Sequence, residues 1–220
     1  MISQTRLLLF LLAALMALFA SCKQTTLSKA PRLFAYFPTE KPCDTLHMEI
    51  YQDGDAPIIG KSIPNKLFFE TVPKKFLKEV DYVVDSSSAQ QVLGRSHFAL
   101  DERTEAYWVE IRQFWFHHHD LLVYDKKRKI FTDRITVAEL YGGDGGQILT
   151  ESWLFDYDGD GKKDLLRREL SHSIIPGEDT VLERNEEAAT LLLWKNGRFE
   201  EQFVQDTAKI FKQFPIRSFW

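Results

Sequence analysis

Short runs rich in apolar, aromatic and β-branched residues recur in the second half of the chain. The runs are residues 106–116, 121–124, 130–131, 135–140, 148–155, 165–174, 188–194 and 199–204. Such runs, separated by turn signals about every 8–12 positions, are typical of antiparallel strands. The pattern predicts a mainly β fold: an antiparallel sandwich, a barrel or a propeller-like sheet. No repeat of blade length occurs along the chain, which disfavours a complete propeller.

Local turn and cap signals refine this prediction near the C-terminus. Asn196-Gly197 lies between two apolar runs, and this dipeptide accepts the positive φ angles of a type I′ turn, so we expect a hairpin tip there. Residues 206–214 predict a short C-terminal helix with Asp206 as its N-cap. Leu166, Leu170 and Ile174 recur every four residues, as in a helix, but the preceding loop favours a strand.

The N-terminus has the three parts of an export signal. Arg6 is followed by an uncharged apolar run of 14 residues, Leu7 to Ala20. This run is shorter than the roughly 17–25 residues of a membrane-spanning helix, and it matches the apolar region of a secretory signal. The alternatives are an uncleaved anchor and an ordinary secretory signal that happens to precede a cysteine.

The end of this segment resembles the lipobox of bacterial lipoproteins. Residues 19–22 read Phe-Ala-Ser-Cys, with Phe where the family prefers Leu. The resemblance implies that Cys22 is acylated and becomes the first residue of the mature protein. We therefore divide the chain into a signal peptide (1–21), a lipidated tether (22–32) and one β-rich domain (33–220). Cys43 then has no disulfide partner and is expected to be a buried small residue or an inert thiol.

Charge narrows the set of partners. Loss of Arg6 with the signal peptide leaves 27 basic side chains against 32 acidic ones. A mildly acidic chain lacks the basic surface that nucleic acid requires, and it has no electrostatic attraction to an anionic bilayer. Contact with the membrane is therefore expected only through the lipid anchor. Residues 23–26 contain no acidic run of the kind that marks surface lipoproteins in some bacteria, so we expect the periplasmic face of the outer membrane.

Residues 156–164 read DYDGDGKKD and form the clearest chemical motif of the chain. Ca²⁺ takes six to eight oxygen ligands at about 2.3–2.6 Å, so carboxylates at alternate positions of a tight loop can converge on it. The pattern predicts a site built from the side chains of Asp156, Asp158, Asp160 and Asp164 and the carbonyl of Lys162. The side chains of Lys162 and Lys163 are expected to point outward into water. The alternative is an ion-free hairpin turn, because Asp and Gly are common turn residues.

This segment resembles the DxDxDG loop of EF-hand-like sites, dockerins and the FG-GAP repeats of integrin-type propellers. Position 12 is Arg167 where an EF-hand has Glu, so a helix–loop–helix hand is disfavoured. Asp164 at position 9 and the apolar residues before Asp156 fit the strand–loop–strand version better. The resemblance covers about 20 residues of the metal loop and implies calcium, without transferring a function.

Three other polar clusters have less specific patterns. His117 and His119 would share one face of a strand, but no third zinc ligand stands at motif spacing, so a polar turn at 117–120 is favoured. The glycine-rich segment 142–146 lacks the ending of a phosphate loop and predicts a turn or bulge. The acidic pairs at 101–102 and 186–187 are interpreted as solvated edges.

The sequence leaves three functional hypotheses open. The first is a non-enzymatic envelope lipoprotein whose calcium-stabilised domain binds a protein or a glycan. The second is a cell-wall or polysaccharide hydrolase, for which a cleft with two acids would be the sign. The third is a periplasmic inhibitor or immunity-type protein, for which a protruding loop would be the sign. The first is favoured because no nucleophile–base motif is visible.

Overall fold

The computed structural model describes residues 29–41, 43–51, 59–77, 91–112, 117–143, 145–177 and 180–217. The predicted signal peptide and Cys22 lie outside the described residues. Within them, no helix is long and apolar enough to cross a membrane.

Strands dominate the described part of the chain. The helices are α1 (Ala30–Phe34), α2 (Asn65–Thr71) and α3 (Thr207–Gln213), with a 3₁₀ turn at Lys74–Phe76. The strands are β1 (Leu46–Met48), β2 (Lys61–Ile63), β3 (Gln91–Ala99), β4 (Thr104–Arg112), β5 (His117–Asp125), β6 (Ile130–Gly143), β7 (Gly146–Phe155), β8 (Asp164–Pro176), β9 (Val181–Lys195) and β10 (Arg198–Gln202). The prediction of a mainly antiparallel β fold with a short C-terminal helix is confirmed.

The strands form one sheet in which β2 to β10 follow one another in chain order. All the strand pairs are antiparallel, so the sheet is a long meander. β6 pairs with β7 only through Glu139–Gly143, and β1 pairs with the other end of β7 instead. Of the three predicted architectures, a closed barrel is excluded, because the single sheet is not closed.

The sheet curls around a central apolar cluster. The cluster joins residues from β4, β5 and β9 that would be far apart in a flat sheet, since neighbouring strands are about 4.8 Å apart. Trp108, Leu121 and Trp194 are among its members. The indole Nε1 of Trp194 also donates a hydrogen bond to Asp101 at 2.9 Å, which links β9 to the β3–β4 turn. We call the concave side that carries this cluster the inner face.

Short helices cover the outer face of the sheet in two places. The N-terminal segment, with Leu33 of α1 and Phe68 of α2, packs on the outer face of β3 to β6. Ile210 of α3 and Phe214 pack against Trp153 and its neighbours on β7 to β9. Because Ala30 and Leu33 are buried, the last residues of the predicted tether already belong to the folded part.

The predicted C-terminal details are confirmed at residue level. Asn196 and Gly197 have φ angles of 54° and 78°, as the predicted hairpin tip requires. The Asp206 side chain accepts a hydrogen bond from the Lys209 backbone N–H and caps α3. Residues 165–174 are strand, and the change from β6, which ends at Gly143, to β7, which begins at Gly146, falls within the predicted turn segment.

One local prediction was wrong: residues 117–120 are not a polar turn but the beginning of β5, where they pair with both neighbouring strands. Cys43 is exposed, which excludes the buried alternative and leaves that of an inert thiol.

Candidate metal sites

The calcium motif occupies the loop between β7 and β8. Phe155 and Asp164 are the last paired residues of the two strands, so the base of the loop is closed by the sheet. This agrees with the strand–loop–strand form expected for the motif. The positions of Asp156 and Asp164 are thereby fixed by backbone pairing, independently of any ion.

Three of the four predicted carboxylates come together. Oxygen atoms of Asp156, Asp158 and Asp164 all lie within 4.8 Å of one another. Gly159 and Gly161 have φ angles of 80° and 83°, a backbone conformation that residues other than glycine rarely adopt. These two glycines let the loop wind tightly. The alternation of acids and glycines therefore does produce a convergent oxygen cluster.

Backbone N–H groups hold this cluster in place. Asp156 accepts hydrogen bonds from the N–H groups of Gly159 (2.8 Å) and Gly161 (2.9 Å). Asp164, which is buried, accepts from Tyr157 N–H at 3.0 Å and from Trp194 N–H at 2.8 Å. The second bond ties the loop to β9. Each carboxylate still has lone pairs available for a cation, since an ionised carboxylate offers about four acceptor sites.

The fourth carboxylate and one of the two lysines depart from the prediction. Asp160 is not part of the convergent group, and its side chain pairs with Lys162 Nζ at 2.7 Å, which lowers the pKa of Asp160. Lys163 Nζ donates to the carbonyls of Cys43 and Asp44. Lys162 is 45% exposed, as expected for a side chain that points outward, whereas Lys163 differs from the expectation because it anchors the loop to the N-terminal segment.

The donor set fits a hard divalent cation. Asp156, Asp158 and Asp164 offer oxygen donors, and no Lys or Arg is paired with these three among the described residues. Three close carboxylates without a cation repel one another, and Ca²⁺ prefers such flexible oxygen sites. The carbonyl of Lys162 and the carboxylate of Asp160 remain predicted ligands.

Removal of calcium is expected to lower the melting temperature of the protein. A ligand that binds only the folded state stabilises it by about 2.7 kcal/mol at 100 times its Kd. Asp158→Ala should lower the melting temperature in calcium and abolish most of the response to chelator. The control variant Glu201→Ala, at an exposed position, should keep the response to chelator. Differential scanning calorimetry measures both. Equal melting temperatures with and without calcium in the metal-free wild type would mean that the loop is only a turn.

A second cluster lies on the inner face beyond Trp108. The register of β4 and β5 places Glu110 opposite His119 and Arg112 opposite His117. Glu110 is fully buried, its Oε1 lies 2.7 Å from His117 Nε2, and its Oε2 lies 3.6 Å from His119 Nε2. Arg95 and Arg112 also pair with Glu110. The histidines were recognised in the sequence, but their partner Glu110 was missed.

Burial and charge set the protonation of this cluster. Burial raises the pKa of Glu110, but the surrounding His117, His119 and Arg112 side chains outweigh burial and hold that pKa well below its usual range. Burial lowers the pKa of His119 to about 4, against the attraction of Glu110. At neutral pH the cluster therefore contains an ionised carboxylate and a neutral His119 imidazole.

A groove of about 620 Å³ lies beside the calcium loop, between β7, β9 and α3. Its lining combines exposed rings with polar side chains: Phe155, Tyr157, Phe203, Gln205, Asp206 and Lys209 are among its residues. Phe203 is 89% exposed. Asp206 is the one carboxylate among the described lining residues, and it already caps α3.

Comparisons of the chain with protein-family models, with curated proteins and with solved structures found no match in any of the three. The sites must therefore be interpreted from their own chemistry.

Proposed function

We propose that this protein is an exported, lipid-anchored envelope protein with a structural calcium site, and that it binds a protein partner without catalysing a reaction. The observation that carries the proposal is a two-stranded arm formed by the ends of β8 and β9. The arm is defined as residues 174–176 and 181–187.

The arm extends past the neighbouring strands. β7 pairs with β8 only as far as Ser173, and β10 pairs with β9 only from Leu191 onward. The end of the arm exposes large aliphatic side chains on both sides, with Val181 63% and Leu182 60% exposed. Ile174 and Ile175 are exposed beside them. Contiguous exposed apolar residues of this kind mark interaction surfaces.

The charge of the arm indicates what kind of partner fits. The arm itself contains three acids and one base, and residues 177–180, between its two strands in sequence, add two acids, so residues 174–187 carry a net charge of −4. Glu183, Glu186 and Glu187 lie exposed along β9. A partner with an apolar pocket surrounded by Lys or Arg would match both properties, since charge complementarity selects partners and speeds encounter. A protruding arm also favours the inhibitor or immunity-type alternative, which is a special case of this binding mode.

Site-specific photo-crosslinking tests the proposed arm contact. A photoreactive amino acid at Leu182 is expected to give one discrete adduct with an envelope protein in cells, and Ile175→Ser should remove it. The same amino acid at Lys127, in the exposed β5–β6 turn, serves as the matched control and should give none. Adducts of equal yield at both positions, or none at Leu182, would contradict the proposal.

Lipid anchoring is tested separately at Cys22. Cys22→Ser is expected to move the protein from the membrane fraction to the soluble fraction, because a single residue carries the acyl chains. Membrane fractionation measures the shift, and mass spectrometry of the wild type should show the lipid. An unmodified Cys22 at the mature N-terminus would contradict the anchor and leave the arm proposal standing.

Glycan binding is the second candidate, and the groove beside the calcium loop favours it. Rings such as Phe203 and Tyr157 can stack on a sugar while Gln205 and Lys209 bind its hydroxyls. Loss of glycan binding in Phe203→Ala, with retention in Ile175→Ser, would assign the function to the groove rather than the arm.

A further inference from the structure

The inner-face cluster supplies three metal ligands that no motif spacing revealed. Glu110, His117 and His119 each present one ligand atom, and these atoms lie within 4.8 Å of one another. In a tetrahedral zinc site, ligand atoms 2.0–2.1 Å from the ion are about 3.3 Å apart. Glu110 Oε1 lies 2.7 Å from His117 Nε2, and the other carboxylate oxygen, Oε2, lies 3.6 Å from His119 Nε2, so both separations are close to that value.

His119 has an unsatisfied ring that points into this group. It is 1% exposed, and neither of its ring nitrogens has a hydrogen-bond partner among the residues that the structure describes. A buried polar group without a partner costs about 1–3 kcal/mol, so such groups are rare in folded proteins unless something binds them. The Nε2 atom lies 3.6 Å from Glu110 Oε2, which is beyond hydrogen-bond distance but close to the separation of two ligand atoms on one ion.

We propose that Glu110, His117 and His119 bind one transition-metal ion, with Zn²⁺ the best match to two imidazoles and one carboxylate. This donor set differs from the oxygen-only calcium loop, because imidazole suits zinc and its neighbours whereas carboxylates alone suit calcium. Three protein ligands leave the fourth position of a tetrahedral ion open. His117, which is partly exposed, is the ligand nearest to solvent.

The two arginines beside Glu110 affect which fourth ligand the metal ion would bind. Arg95 and Arg112 both contact Glu110, so they fix the carboxylate but also add positive charge beside the ion. The Glu110 carboxylate can pair with the arginines and bind the ion at the same time, because each of its oxygens has two lone pairs. Two guanidinium groups near the metal favour a negatively charged fourth ligand, such as hydroxide or another small anion, over neutral water.

Isothermal titration of the metal-free full chain in detergent with ZnCl₂, in saturating calcium, tests the proposal. We expect one Zn²⁺ bound per chain, and at least tenfold weaker binding in both His117→Gln and Glu110→Gln. Titration with Co²⁺ should give the visible absorption bands of a tetrahedral site, and His117→Gln should remove them.

Control variants separate this site from the other metal-ligand groups. His118→Gln changes the neighbouring histidine, whose side chain pairs with Asp120 on the opposite face, and should leave zinc binding unchanged. Asp158→Ala alters the predicted calcium loop, and His47→Gln alters a third cluster of possible metal ligands. Both variants should also leave zinc binding unchanged. Circular dichroism verifies folding, and the partly exposed His117 variant decides the result if Glu110→Gln does not fold. Absence of zinc binding, or equal binding by the folded His117→Gln variant, would overturn the proposal.

Discussion

Arg168→Ala is expected to destabilise the protein by about 3–5 kcal/mol, because it leaves two carbonyl oxygens without their charged donor, at about 1–3 kcal/mol each, and removes a buried side chain. Arg168 is 2% exposed, although its partner Glu187 is not buried. Its Nη1 also donates to the carbonyl oxygens of Phe214 and Phe211, and its guanidinium lies 4.2 Å from the Phe211 ring centre. One side chain thus attaches α3 to the sheet.

Urea unfolding followed by far-UV circular dichroism measures the loss for Arg168→Ala. Arg167→Ala is the matched control, because Arg167 directly precedes Arg168 in β8, points to the other face of the sheet and is only partly buried. The control should change the free energy of unfolding by less than about 1 kcal/mol. Comparable losses in the two variants would show that the α3 contacts contribute little.

Asp120→Asn is expected to have an effect of similar size, about 3–5 kcal/mol. Asp120 is 1% exposed and lies 2.9 Å from Arg134 Nε, in an ion pair whose N–H is not aligned for a hydrogen bond. It also lies 3.2 Å from His118 Nδ1 and accepts a hydrogen bond from the Thr136 hydroxyl at 2.8 Å. The substitution leaves the largely buried Arg134 charge without its counter-ion.

Asp133→Asn, on the adjacent strand, is the control variant, and it is not expected to lower the stability of the protein. Burial raises the pKa of Asp133, so its charged form is disfavoured and its loss should be neutral or slightly stabilising. For Asp120, burial raises the pKa, but His118 and Arg134 outweigh it and lower the folded-state pKa below the unfolded value. The wild type should therefore lose stability as the pH falls below about 4, and Asp120→Asn should lose less. An equal loss of stability at acidic pH in the wild type and in Asp120→Asn would contradict the stabilising role of the ionised Asp120.

Local pattern was sufficient for most of the fold. Runs of apolar, aromatic and β-branched residues located β4, β7 and β10, and the loop before β8 favoured a strand there. The Asn196-Gly197 dipeptide located the last hairpin, because all these signals depend on neighbours in sequence. The pattern failed for the polar half of β9, residues 181–187, which is strand because it pairs with β8 rather than because it is apolar. Pairing between strands can override a weak local pattern.

The candidate sites show the same limit. The predicted calcium loop was recognisable because its acidic residues fall within nine positions, and the structure brings Asp156, Asp158 and Asp164 together. Glu110 was missed because its position opposite His119 depends on the β4–β5 register. The pairing of Asp160 with Lys162 was not foreseen either, because spacing alone does not show this contact.

The place of β1 in the sheet bears on the order in which the protein folds. Strands β3 to β10 pair with their neighbours in sequence, so their contacts close short loops and should form early. Leu46 of β1 pairs with Leu154 of β7, across most of the meander, and this contact closes a long loop at a larger entropic cost. The N-terminal segment is therefore expected to dock last, onto a sheet that has already been assembled.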